Sequence, residues 1–124
     1  MSNVIFFPAL DTAGKQVYVG AYAIVCAYEL VDPKRVQLRL ADDRQLYLNM
    51  SFDQFIADVN QFSFTGFIIF IDPSTQRRIG LSQYDVLTVS TQSPTTIVIG
   101  SEFGPVEVIG TTDDYNNQVT NNLY

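Results

Sequence analysis

The chain has 124 residues, of which 47% are hydrophobic and 16% charged, so it can form one compact core and is too apolar for a disordered chain. Thirteen acidic residues against seven basic ones give a net charge of -6, which argues against nucleic acid and anionic membranes as partners. The absence of histidine excludes catalytic triads that use histidine and HExxH zinc sites.

The first third of the chain predicts strands separated by one turn. Residues 4–7 form a short apolar strand that ends at Pro8, and the Asp and Gly content of residues 11–15 indicates a turn. Residues 17–31 alternate large and small side chains, which favours one long strand with a bend at Gly20; a buried helix is the alternative. This run is too short for a membrane-spanning helix and contains Glu29.

A hairpin and a helix follow. Residues 36–40 and 46–50 alternate apolar and polar side chains around the polar turn 41–45, which predicts a β-hairpin. Ser51 stands three residues before Gln54 in a capping-box pattern, and apolar residues recur at helical spacing after it. These signals predict one amphipathic helix over residues 52–61.

The second half of the chain predicts further strands at 67–71, 84–91, 96–99 and 106–109, with a loop at 74–78. About eight short strands and one helix do not alternate as a βαβ fold requires. The expected fold is therefore mainly β (α+β), a compact β-barrel or β-sandwich with the helix packed on it.

The last residues differ in composition from the rest. Residues 1–111 are predicted to form a single β-rich domain, and residues 112–124 a polar arm that would be flexible unless the body or a partner chain holds it. Asp113 and Asp114, with two asparagines after them, offer oxygen ligands for calcium, but their spacing is not that of an EF-hand loop. We therefore predict no metal and no cofactor.

Few residues suggest catalysis. Cys26 lies in an apolar run and is interpreted as a core residue rather than a nucleophile. The acidic pair Asp42 and Asp43 falls in a predicted turn, where Asp is expected for turn hydrogen bonds. The sequence also has neither of the glycine-rich loops that cradle nucleotide phosphates. An enzyme that uses carboxylates and tyrosines is the least favoured hypothesis.

Several residues are predicted to lie at contacts between subunits. The 34 Ser, Thr, Asn and Gln residues and the scarcity of lysine favour surfaces that become interfaces. The adjacent arginines Arg77 and Arg78 could meet acidic residues of a neighbouring chain. The candidate interface residues are Arg77, Arg78, Asp113, Asp114, Tyr115, Leu123 and Tyr124.

In composition the chain resembles bacteriophage virion components such as capsid cement or decoration proteins and small head or tail proteins. This resemblance implies a non-enzymatic structural protein that assembles as a homo-oligomer or with other proteins of a large particle. It would be made in the host cytoplasm and located in the virion; a non-viral protein of this kind would be cytoplasmic, since its first residues do not resemble a signal peptide. The alternative is a small binding module for an apolar ligand or a peptide.

Overall fold

The structure is a computed structural model that describes residues 6–20, 23–31, 34–60, 66–101 and 104–122. It is mainly β with two helices, which confirms the predicted fold class. The strands are β1 (Phe6–Leu10), β2 (Gln16–Gly20), β3 (Ile24–Val31), β4 (Lys34–Leu40), β5 (Gln45–Leu48), β6 (Phe67–Ile71), β7 (Arg78–Ser82), β8 (Val86–Ser93), β9 (Thr96–Ser101) and β10 (Gly104–Ile109). The helices are α1 (Phe52–Asn60) and α2 (Thr112–Asn122).

All ten strands belong to one antiparallel sheet with the order β2-β1-β5-β4-β3-β7-β6-β10-β9-β8. The sheet is open, because no described strand pairs with the outer side of β2 or of β8. The predicted β-barrel or β-sandwich is therefore formed only loosely, because the sheet is not closed. Among the described strands, β2 and β8 therefore each have one edge without a partner strand.

The elements with strong local patterns form where the sequence places them. Strands β4 and β5 make the predicted hairpin, with Leu38 opposite Leu46 on its buried face. Helix α1 begins after Ser51, whose hydroxyl accepts a hydrogen bond from the Gln54 N–H at 3.1 Å. The Gln54 side chain donates to Asp58 at 2.7 Å, so only one half of the predicted capping box is observed. Gln61, the predicted last residue of the helix, lies outside the described residues.

Three local expectations are corrected. Residues 17–20 and 24–31 belong to two different strands, β2 and β3, that lie four places apart in the sheet, and the alternative of one buried helix is wrong. The predicted loop 74–78 ends at Arg78, which is the first residue of strand β7, and this strand was not predicted. The first strand continues through Pro8 to Leu10, while Val4 and Ile5 lie outside the described residues.

Two apolar clusters form the core on opposite faces of the sheet. Neighbouring residues of β6 enter different clusters, Phe67 the first and Ile68 the second, as the alternation of a strand requires. Helix α1 covers the first cluster with Phe52 and Phe55, both almost fully buried. The second cluster joins buried residues of β3, β6, β7, β9 and β10.

The C-terminal segment forms helix α2, which lies on the second cluster. Tyr115 and Val119 pack against that cluster. The Gln118 side chain accepts a hydrogen bond from the Ile69 N–H at 2.6 Å and donates to the Ile69 carbonyl at 2.7 Å. The body of the same chain therefore holds this polar segment through its described residues.

Candidate functional site

The outer face of the β1–β2 hairpin exposes apolar and aromatic side chains. Pro8 lies opposite Tyr18, and Leu10 lies opposite Tyr47 of β5, so these residues share one face with Phe6. Tyr18 is 70% exposed and Phe6 57% exposed. We call this surface the hairpin face, defined by Phe6, Pro8, Leu10, Tyr18 and Tyr47.

A hollow of about 330 Å³ opens beside the hairpin face. Its lining consists of Pro8, Ala9, Leu10, Gln16, Tyr47, Asn49 and Met50. Next to it, the guanidinium carbon of Arg35 lies 4.8 Å from the centre of the Tyr47 ring. The Arg35 Nε is buried without a hydrogen-bond partner among the described residues. Aromatic residues, Met and Arg are the types enriched where proteins contact one another.

The free edges of the sheet carry no charge. Strand β2 has the sequence QVYVG and strand β8 the sequence VLTVSTQS, neither with a charged residue or a proline. Leu87 of β8 is 64% exposed. Edge strands of monomeric proteins are commonly protected by lysine, proline, β-bulges or covering elements, because unpaired backbone groups recruit other strands. Strand β8 has register irregularities at 86–88 and 91–93, which leave residues 88–91 regularly paired.

Arg78, one of the predicted interface residues, is held by its own chain. Its guanidinium donates to both carboxylate oxygens of Glu29, at 3.2 and 2.7 Å, and to the carboxylate of Asp53. It also lies 4.9 Å from the centre of the Phe52 ring. The Arg78 hydrogen bonds lower the pKa of Glu29. Arg78 thus connects β7 to β3 and to the first turn of α1.

Arg77 has a different environment. It lines an open hollow of about 200 Å³ together with Tyr28, Leu30, Gln37 and Asp72. The ion pairs among the described residues join Arg39, Arg44 and Arg78 to acids, and none includes Arg77.

The other predicted interface residues lie on or after α2. Asp113 is exposed, whereas Asp114 caps the helix by accepting from the Thr111 N–H at 2.9 Å. Tyr115 is half-buried, and burial raises its pKa. Leu123 and Tyr124 lie outside the described residues. The structure forms no ion pair between either arginine and Asp113 or Asp114 within the described chain.

Cys26 is buried, as predicted. Burial raises the pKa of its thiol to about 11, which keeps the sulfur protonated at neutral pH. The neighbouring Tyr28 lines the Arg77 hollow, and burial raises its pKa as well. A reactive thiolate is therefore not supported at this position.

The described residues do not bring together three or more Cys, Asp or Glu side chains as a metal site would require. Neither α1 nor α2 is long and apolar enough to cross a membrane. Asp113 and Asp114, considered above as calcium ligands, stand at the start of α2.

The sequence analysis missed the hairpin face. Its local signal was present: the turn with Asp11 and Gly14 separates two runs without charge, 4–10 and 16–20. Which side of those runs meets solvent depends on the pairing of Leu10 with Tyr47, a contact distant in sequence.

Comparison with known proteins found no family model, curated protein or solved structure that matches this chain.

Proposed function

We propose that this protein is a non-enzymatic structural subunit that assembles through contacts with copies of itself or with other proteins of a large particle. The hairpin face carries the proposal, since it combines two strongly exposed aromatic rings with a neighbouring hollow and no charged residue on either strand. Exposed apolar surface of this kind marks sites of protein contact.

Charge supports the same function. Because each copy carries a net charge of -6, two copies repel one another, and they can approach most easily where neither surface is charged. The hairpin face is such a surface. The compositional resemblance to small bacteriophage head and tail proteins makes a virion the particle that we propose, with synthesis in the host cytoplasm.

The alternative function, a module for a small apolar ligand, is less favoured by the shape of the surface. The hollow beside the hairpin face opens to solvent, so it suits a side chain of a partner protein better than an enclosed ligand.

The test replaces Phe6 and Tyr18 by serine together and compares the native mass with that of the wild-type chain by light scattering. Both side chains are exposed, so the variant should remain folded by circular dichroism. We expect the wild-type chain to associate and the double variant to associate at least about tenfold more weakly. The reason is that removal of aromatic side chains from the centre of an interface commonly weakens binding by this much.

Val31→Ser is the matched control, because Val31 is an exposed apolar residue on the interior strand β3. This variant should associate like the wild type. Equal association of all three proteins would contradict the role of the hairpin face.

A further inference from the structure

Both ends of the sheet offer a place for another strand. Strand β2 has five residues, and β8 has four regularly paired residues, 88–91, between register irregularities at 86–88 and 91–93. The two free edges therefore have similar usable lengths. Hydrogen bonding along an edge gives affinity between strands whose sequences differ.

We propose that copies of this chain join head to tail, with the free edge of β2 in one copy paired to the free edge of β8 in the next. This inference rests on the proposed function and names the partner of the hairpin: a second copy, bound through its β8. The contact joins two different surfaces, so each copy keeps one further free edge and the assembly can grow or close into a ring.

The side chains of the two edges are complementary. Val17 and Val19 of β2 lie with the first cluster, so Tyr18 between them points to the second face of the sheet. On β8, Val86 and Val89 pack at the rim of the second cluster. A sheet continued from β2 into the β8 of the next copy would place Tyr18 beside these valines, an aromatic and β-branched pairing that stabilises sheets.

Pairing of two identical edges, β2 with β2 or β8 with β8, would leave more apolar surface exposed. A dimer through β2 alone leaves Leu87 of each copy exposed, and a dimer through β8 alone leaves Tyr18 exposed. The head-to-tail arrangement covers both edges at every junction. Neither edge contributes a charge that would add to the repulsion between two acidic copies.

The experiment blocks one edge at a time with lysine, which is the residue that protects natural edge strands. Tyr18→Lys blocks β2, and Ser90→Lys, within the regularly paired stretch 88–91, blocks β8; both positions are exposed, so the fold should persist. The masses of each variant, of their equimolar mixture and of the wild type are measured by sedimentation velocity. Val31→Lys is the control for added charge and should assemble like the wild type.

We expect each edge variant alone to be monomeric and the mixture to form a one-to-one dimer, because the first variant still offers β8 and the second still offers β2. An edge variant that dimerises alone would overturn head-to-tail pairing in favour of like edges. A mixture that stays monomeric while the wild type assembles would overturn it as well.

A wild-type chain that is itself monomeric under the same conditions would overturn head-to-tail pairing and would leave, of the proposed function, only assembly with other proteins. If both lysine variants assemble like the wild type, the pairing of β2 with β8 is overturned, but the proposed function is not.

Discussion

The Arg78 side chain links three elements of its own chain. It pairs with Glu29 of β3 and Asp53 of α1 while lying against Phe52. Its neighbour Arg77 makes no ion pair among the described residues. The two adjacent arginines therefore differ in role: Arg78 holds α1 to the sheet, whereas Arg77 pairs with no acid among the described residues.

Arg78→Gln should lower the free energy of unfolding by about 1–2 kcal/mol, because it removes charge-assisted hydrogen bonds that are only partly exposed. Arg77→Gln is the matched control and should change stability by no more than about 0.5 kcal/mol. Urea unfolding of the three proteins measures both values. Equal losses for the two variants would contradict the assignment.

The same pair gives a pH dependence. Hydrogen bonds from Arg78 lower the pKa of Glu29 in the folded state, so the pair's contribution is fully present above the unfolded pKa of a glutamate, about 4.3. It is lost as the pH falls through the lower folded pKa. The difference in free energy of unfolding between the wild type and Arg78→Gln should therefore be largest near neutral pH and shrink in acid. A difference that grows in acid would contradict the role of the Arg78–Glu29 pair.

At the scale of elements, α2 shows how a polar segment is held. Gln118 supplies both a donor and an acceptor to Ile69 of β6, in place of a neighbouring strand. Strand β10 pairs with β6 only between Ile109 and Ile71, which leaves the Ile69 backbone groups for Gln118. A side-chain amide thus completes the hydrogen bonding of a strand.

Gln118→Ala should lower the free energy of unfolding by about 1–3 kcal/mol, because it leaves the Ile69 backbone groups without their partner. Hydrogen exchange at the Ile69 amide should become faster. Asn117→Ala, at an exposed position of the same helix, is the control and should leave exchange at Ile69 unchanged. Unaltered exchange in both variants would contradict the role of Gln118.

The elements that could be predicted are those whose signals are local. The β4–β5 hairpin follows from strict alternation, and α1 follows from the Ser51 cap with apolar spacing. Strand β7 was missed because Gly80 interrupts a short apolar run; its strand conformation depends on pairing with both β3 and β6. Helix α2 depends likewise on a contact with Ile69, distant in sequence.

The candidate site was less predictable than the fold. Composition indicated interface-forming surfaces, but the arginines and the acidic pair were chosen for their charge. The hairpin face is apolar, and its exposure depends on which side of β1 and β2 meets the first cluster. Alternation along β1 and β2 does not show which face of the hairpin is buried, so the exposed face could not be predicted from these strands alone.

At the scale of the whole molecule, the surfaces proposed for contact are uncharged while the chain is acidic. Association should therefore become stronger as salt is added, since salt screens the repulsion between copies over about 10 Å at 0.1 M ionic strength. An assembly held by ion pairs would show the opposite dependence. Sedimentation of the wild-type chain at low and high salt distinguishes these cases.

The most direct test of the central claim is the mass of the full wild-type chain across a range of micromolar concentrations, measured by sedimentation velocity at moderate salt. The account predicts species larger than a monomer, whose share rises with concentration and falls when Phe6 and Tyr18 are replaced by serine. A chain that remains monomeric at every concentration and salt level would contradict self-assembly through the hairpin face.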